Sequence, residues 1–301
     1  MSVESLQQNF PHEQIRFYQR DQLVMIELKN DYGQATLTTH GATLLSYIPA
    51  GSDEILWVSQ TAVFDGSKPV RGGVPVCWPW FGAYDVTKMP AHPSDAAKKA
   101  HGFVRYEVWQ VEAVESVGEA VRVVLSLTPN DNTQAVWPFD FKVRLAVTLG
   151  EALTVDLIGE NRSDQAWWLT EALHSYFKVA QAPGLVIEGL ENTRYFDKNR
   201  DFAEFKQIDT LNLQPPMDCV FINHSWPITL KDQGRDIRID KQHSASTIVW
   251  NPGEEGVKAF ADIPTQDYAN FVCVEAGNAL ENGYWLKPGE SHSMSMVLSQ
   301  L

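Results

Sequence analysis

Basic residues are in short supply. The 301-residue chain carries 24 Lys and Arg against 38 Asp and Glu, a formal charge of −14. That balance excludes a general nucleic-acid binder, whose affinity comes from basic charge meeting phosphate. Long apolar runs are missing as well: none approaches the roughly 18 residues of a membrane-crossing helix. Met1 to Phe10 is polar and has neither the basic start nor the apolar stretch of a secretory signal. The expectation is a cytoplasmic protein with no membrane or nucleic-acid partner. Cysteine is scarce too. Cys77, Cys219 and Cys273 are odd in number, far apart and outside CxxC spacing, which leaves no disulfide framework and no zinc knuckle. Each stands among apolar neighbours, as a buried thiol used like a small hydrophobe would. GxGxxG, the phosphate-binding P-loop, HExxH and GxSxG are all absent, so nucleotide, zinc-protease and α/β-hydrolase chemistries lose their usual signatures. Helical periodicity is thin: residues 94–101 offer two turns with Ser94 as cap, and little else competes.

What the chain does have is a period of two. Phe141, Val143, Leu145, Val147 and Leu149 alternate with polar or small residues, and Leu153, Val155 and Leu157 resume the alternation beyond Gly150-Glu151. That is a hairpin of half-buried strands. Similar runs recur at 23–28, 34–39, 108–114, 120–127, 167–173, 228–230, 236–239, 247–250, 271–276 and 294–298, with turn chemistry such as Asp232-Gln233-Gly234 between them. Many short strands with frequent turns predict an all-β fold, a sandwich or barrel. With 44% hydrophobic residues there is material for a large core. No composition shift or repeat divides the chain, so 1–301 reads as one domain behind a short polar N-terminal tail of about 14 residues.

Two stretches, 63–100 and 251–270, break the strand rhythm, and long irregular segments in a β domain are commonly functional. The first holds a basic island. Lys68, Arg71, Lys88, Lys98, Lys99 and Arg105 meet only Asp85 and Asp95, a net of +4 inside an acidic chain, as an anionic small substrate would require. Elsewhere, ionisable residues sit inside apolar strand-like sequence. His174 lies between Trp167–Leu173 and Ser175-Tyr176-Phe177, and Glu275 ends Phe271-Val272-Cys273-Val274. Both alternating faces of 271–276 are apolar, so Glu275 is expected in or beside a core whichever way the strand turns. A buried carboxylate must be paired, protonated or at a site, because stranding it costs several kcal/mol.

Longer strings carry a resemblance. They are Arg71-Gly72-Gly73-Val74-Pro75-Val76-Cys77-Trp78-Pro79-Trp80-Phe81-Gly82, His101-Gly102-Phe103-Val104-Arg105, Ala172–Phe177, Asp218-Cys219-Val220-Phe221 and Val272–Ala276. In order and spacing they resemble the aldose 1-epimerase superfamily, and specifically its glucose-6-phosphate 1-epimerase branch, from about residue 15 to the C-terminus. The resemblance implies a large antiparallel β-sandwich of the galactose-mutarotase type. It implies His174 as the acid on the sugar ring oxygen and Glu275 as the base on the anomeric hydroxyl. His101 and Asp218 match substrate-orienting residues, and Arg71 and Arg105 match arginines expected on a 6-phosphate. Many relatives have Gln where Trp80 stands, so no hydrogen bond carries over there, and a stacking face for the sugar is the alternative.

Anomerisation opens and recloses the ring with one acid and one base, so no metal, redox cofactor or covalent nucleophile is expected. The pair would need to stand on facing strands, which a separation of 101 residues permits. The expected partner is a phosphorylated hexose; oligomeric state is open, with a monomer compatible. Three other readings remain: a mutarotase of neutral aldoses, which has no use for Arg71 and Arg105; a silent sugar-binding protein, which has no use for an acid–base pair; and a glycoside hydrolase, with Asp218 and Glu275 as its two carboxylates.

Overall fold

The computed structural model describes residues 2–89 and 99–301. The period-two segments become antiparallel strands throughout. Phe141–Leu149 pairs with Leu153–Asn161, with Leu145 opposite Leu157, and the alternating apolar residues Phe141, Val143, Leu145, Val147, Leu149, Leu153, Val155 and Leu157 are buried. These two lie within a nine-stranded sheet that runs from Leu211–Asn212 at one edge to Gln110–Val117 at the other. An eight-stranded sheet packs across from it, with Arg194–Asp197, Met217–Ile222, Ser246–Asn251, Phe271–Asn278, Glu171–Leu173 and Val76–Cys77 in that spatial order. A four-stranded meander, from Ile15–Arg20 to Leu44–Pro49, completes the sandwich. One continuous cluster joins Ile26, Leu145, Leu157, Ile239, Val249, Val274 and Met296, residues from all three sheets. Each such side chain contributes about 1.5–3 kcal/mol on burial, so the layers are locked to one another.

Several expectations change in detail. The N-terminal tail carries a helix, Val3–Asn9, capped by the Ser2 side chain and anchored by buried Leu6. The run at 167–173 divides: Trp167–Leu169 pairs with Tyr284–Leu286, whereas Glu171–Leu173 joins the eight-stranded sheet. Residues 94–98 of the expected helix lie outside the described residues, and 99–101 form a turn. Trp80 is fully buried among Tyr84, Phe103 and Trp137, and its indole N–H donates to the Lys99 carbonyl, so it offers no face to a sugar. Asn161 is buried, with its amide donating to the Gln165 and Leu286 carbonyls.

Glycines set how closely the motif segments approach their neighbours. Gly73 has φ +66°, and a Cβ there would stand 2.1 Å from the Leu44 carbonyl oxygen. Gly102 has φ +73°, and its Cβ would stand 1.9 Å from the Trp78 carbonyl oxygen. Only glycine accepts both the left-handed backbone and the contact. Gly102→Ala is therefore expected to lower stability by about 1–3 kcal/mol from backbone strain alone, read as a shift of the urea unfolding midpoint relative to wild type.

Candidate active site

Residues directly opposite in an antiparallel sheet point to the same face, so register determines which side chains meet. On Phe271–Asn278, the alternate residues Val272, Val274 and Ala276 face the main core. Cys273 and Glu275 face the other way. Ile248 stands opposite Glu275, Trp250 opposite Cys273, and Asp218 opposite Trp250. On the other flank Tyr176 stands opposite Cys273. His174 sits in the gap between Glu171–Leu173 and Tyr176–Lys178, its backbone N–H donating to the Pro75 carbonyl. The acid–base candidates therefore project from adjacent segments of one sheet, not from facing strands as expected. Lateral pairing brings them together more directly than packing across the sandwich would.

His174 Nδ1 lies 3.4 Å from Glu275 Oε1. Glu275 is 1% exposed and His174 9%. Neither His174 Nδ1 nor the second carboxyl oxygen of Glu275 has a hydrogen-bond partner among the described residues. The imidazole stacks on Tyr176 at 5.0 Å and meets the edges of His101 and Trp250. Burial, then the charge of Asp218, raises the Glu275 carboxyl well above the ordinary range, although Arg105 and Lys198 oppose this. Burial, then His101, Arg105 and Arg71, drives His174 well below its ordinary value. The pair accordingly rests in its uncharged form, with a single proton held on the carboxyl side.

The remaining predicted residues surround the pair. Arg71 Nε donates to Asp262 at 3.1 Å, and its Nη1 donates to the Tyr176 hydroxyl at 3.2 Å. Lys68 reaches the other Asp262 oxygen at 3.3 Å. Arg105 follows the Gly102 turn; its charge acts on His174, His101 and Glu275, and its buried Nε has no hydrogen-bond partner among the described residues. His101 is clamped to Gly82: its backbone N–H donates to the Gly82 carbonyl, and its Nδ1 accepts from the Gly82 N–H. Its ring proton therefore lies on Nε2. Burial, then the charges of Arg105, Lys198 and Arg71, pushes His101 down to about 3. Asp218 accepts from Lys198 at 2.9 Å.

Lys198, Asp262 and Tyr176 went unassigned in the sequence. Lys198 sits in Asp197-Lys198-Asn199-Arg200, which looks like a solvated charge run. Asp262 had one available signal, its place in the irregular 251–270 segment. Tyr176 stood inside a motif string without a role. Within the basic island, Lys88 packs over Trp168 and Lys99 over Tyr106, while Lys98 lies outside the described residues. All three cysteines are buried, as expected. His174, Cys273 and Glu275 bring one donor atom each within 4.8 Å, near enough to consider a metal ion. Burial raises both the thiol and the carboxyl, which favours their protonated forms, and the surrounding cations oppose another positive charge. The triangle suits proton exchange better than metal ligation.

A sandwich that presents a buried His–Glu pair on one sheet, ringed by cations, is equipped for acid–base chemistry on a small ligand. The comparison with known families agrees. The chain belongs to the aldose 1-epimerase family, whose model matches residues 24–299. It is 32% identical over 275 residues to an Escherichia coli K12 protein named "Putative glucose-6-phosphate 1-epimerase", covering 90% of this chain and 89% of that one. A Cenchrus ciliaris protein of the same name is 29% identical over 277 residues, with 88% and 80% covered. Among solved structures, a "putative mutarotase (YeaD)" from Salmonella typhimurium superimposes with a TM-score of 0.86 at 27% identity, covering 96% of this chain and 94% of that one.

The Arg71–Asp262 contact predicts its own test. Asp262→Ala strands a largely buried guanidinium and is expected to cost about 1.5–3 kcal/mol, the range for hydrogen bonds to charged groups. Equilibrium urea unfolding of the variant against wild type measures it.

Proposed function

We propose that this protein interconverts the α and β anomers of glucose 6-phosphate and related hexose 6-phosphates. The observation that carries the reading is the buried His174–Glu275 pair, 3.4 Å apart, with Arg71 and Arg105 both close enough to perturb the imidazole. A neutral-sugar epimerase needs the pair but not the guanidiniums, and a silent binding protein needs neither unpartnered atom. A phosphorylated sugar does not cross membranes unaided, so the activity belongs in the cytoplasm.

In the ring-opening step, the bond between C1 and the ring oxygen breaks. With substrate bound, the proton of the pair first shifts from Glu275 to His174, across the 3.4 Å between them; His174 then gives a proton to the ring oxygen as Glu275, now a carboxylate, takes the hydroxyl proton from O1, leaving an open-chain aldehyde. Rotation about C1–C2 presents the other face of the carbonyl. Reclosure returns a proton to O1 from Glu275 while His174 recovers its proton from the attacking hydroxyl, and transfer of that proton back to Glu275 leaves the enzyme as it began. His101, neutral with its proton on Nε2, donates to a sugar oxygen, and Asp218 accepts from a sugar hydroxyl beside Lys198. The planar forks of Arg71 and Arg105 bind phosphate oxygens.

Three outcomes are expected. Glu275→Gln keeps sugar binding but loses at least ~10²-fold in anomerisation, the lower bound for removing a general base; saturation transfer between anomeric protons measures the exchange, and near-wild-type turnover would dismiss the assignment. Arg71→Ala or Arg105→Ala weakens glucose 6-phosphate binding by about 1.5–3 kcal/mol, from loss of a charge-assisted contact, with glucose affinity unchanged in parallel titrations. Dialysis against a strong chelator leaves the exchange rate where it was, since no step passes through a metal.

A further inference from the structure

The fixed charges around the site do not balance. Arg71 and Lys68 share the single carboxylate of Asp262, and Lys198 pairs with Asp218. Arg105 has no carboxylate within ion-pair distance among the described residues, and its Nε is buried and unpartnered. Among the described residues four cations thus face two carboxylates, and the third acid in reach, Glu275, is itself held in its uncharged form by burial. A partly buried guanidinium whose Nε is shut off from solvent is costly without a counter-charge unless a ligand supplies one.

We propose that a dianion seated between Arg71 and Arg105 is required for turnover and not only for affinity: the substrate's phosphate supplies the counter-charge that the acid–base pair needs in order to work. This rests on the hexose-phosphate reading and gives the phosphate a part in the chemistry. Covalent connectivity places it suitably. The phosphate hangs from C6, and C6 is attached to C5, which carries the ring oxygen. A bound phosphate therefore lies on the ring-oxygen side of the sugar, the side His174 serves. Arg71 reaches that imidazole through Tyr176, with 3.2 Å from Nη1 to the hydroxyl and 5.0 Å between the stacked rings. The groups that face His174 are His101, Arg105, Arg71, Tyr176, Cys273 and Glu275, and the first three all oppose a proton on it. Two negative charges on the arginines relieve that opposition at the moment the ring oxygen needs a proton. An unphosphorylated hexose has the same ring and the same anomeric hydroxyl but brings no charge. It enters a site that remains over-positive, so discrimination falls on kcat as well as on KM, as when remote binding energy is used in the transition state.

The test presents the substrate in two pieces. Anomer exchange of glucose is followed by saturation transfer with inorganic phosphite added, against sodium chloride at matched ionic strength. Phosphite is expected to accelerate glucose exchange at least ~10-fold at concentrations where it also competes with glucose 6-phosphate, and Arg105→Ala should abolish the acceleration. Saturating kcat for the intact phosphorylated sugar should exceed that for glucose without phosphite. Phosphite that competes with glucose 6-phosphate yet leaves glucose exchange at the chloride level would overturn the proposal. So would equal kcat for the two sugars with only KM different, a result that needs neither phosphite binding nor a variant. These failures are distinct from that of the hexose-phosphate reading, which falls if glucose 6-phosphate itself is not exchanged faster than in the absence of protein.

Discussion

A carboxyl and an imidazole share a nearly dry surface at 3.4 Å with one lone pair apiece left unmet, and the rest of the molecule is arranged around that fact. Burial disfavours charge on either group, so the pair settles with one proton between two neutral partners. A pair in solution would separate, ionise or hydrogen-bond to water. Here the Phe271–Asn278 strand is covered on both faces, so Glu275 cannot swing toward solvent. The Tyr176 ring stacked on His174 holds the imidazole in the plane where its proton can be exchanged.

Charge is distributed against the average. The chain is acidic at −14, yet the face that carries the pair is ringed by Arg71, Arg105, Lys68 and Lys198 with fewer carboxylates to answer them. A net-negative protein with a local cluster of cations repels nonspecific polyanions while leaving that cluster attractive to a small anion. The positions of these cations depend on backbone and not on side-chain flexibility. Gly73 lets the Arg71 segment lie against Leu44, and Gly102 lets the Arg105 segment lie against Trp78. Asp262, from an irregular segment remote in sequence, then orients the Arg71 fork.

Much of this was legible residue by residue. Alternation at 141–157 and 271–276 marked strands, and both appear in register. The apolar setting of Glu275 on both alternating faces already required burial, which the structure bears out. Trp80 was misread because an aromatic in a motif string looks the same whether it faces ligand or core; its neighbours Phe103 and Trp137 claimed it. The polar N-terminal segment hid an amphipathic helix because one buried leucine, Leu6, is too weak a periodic signal. Lys198 was illegible as a site residue and Asp262 had only its place in an irregular segment to mark it, since an exposed-looking acid or lysine acquires meaning only from what it touches.

By itself, the sequence determined the residue types of the chemistry and the all-β framework. A period of two leaves a strand one apolar side to bury, and a carboxyl among valines must be paired, protonated or at a site. Only the tertiary structure decided which strands lie side by side. That placement put His174 next to Glu275 along one sheet, where sandwich packing across the core would have kept them apart. It also decided the protonation of the pair and the unanswered charge on Arg105. Both depend on distances between groups about a hundred residues or more apart in the chain, and an electrostatic energy varies with separation in space, not with separation in sequence.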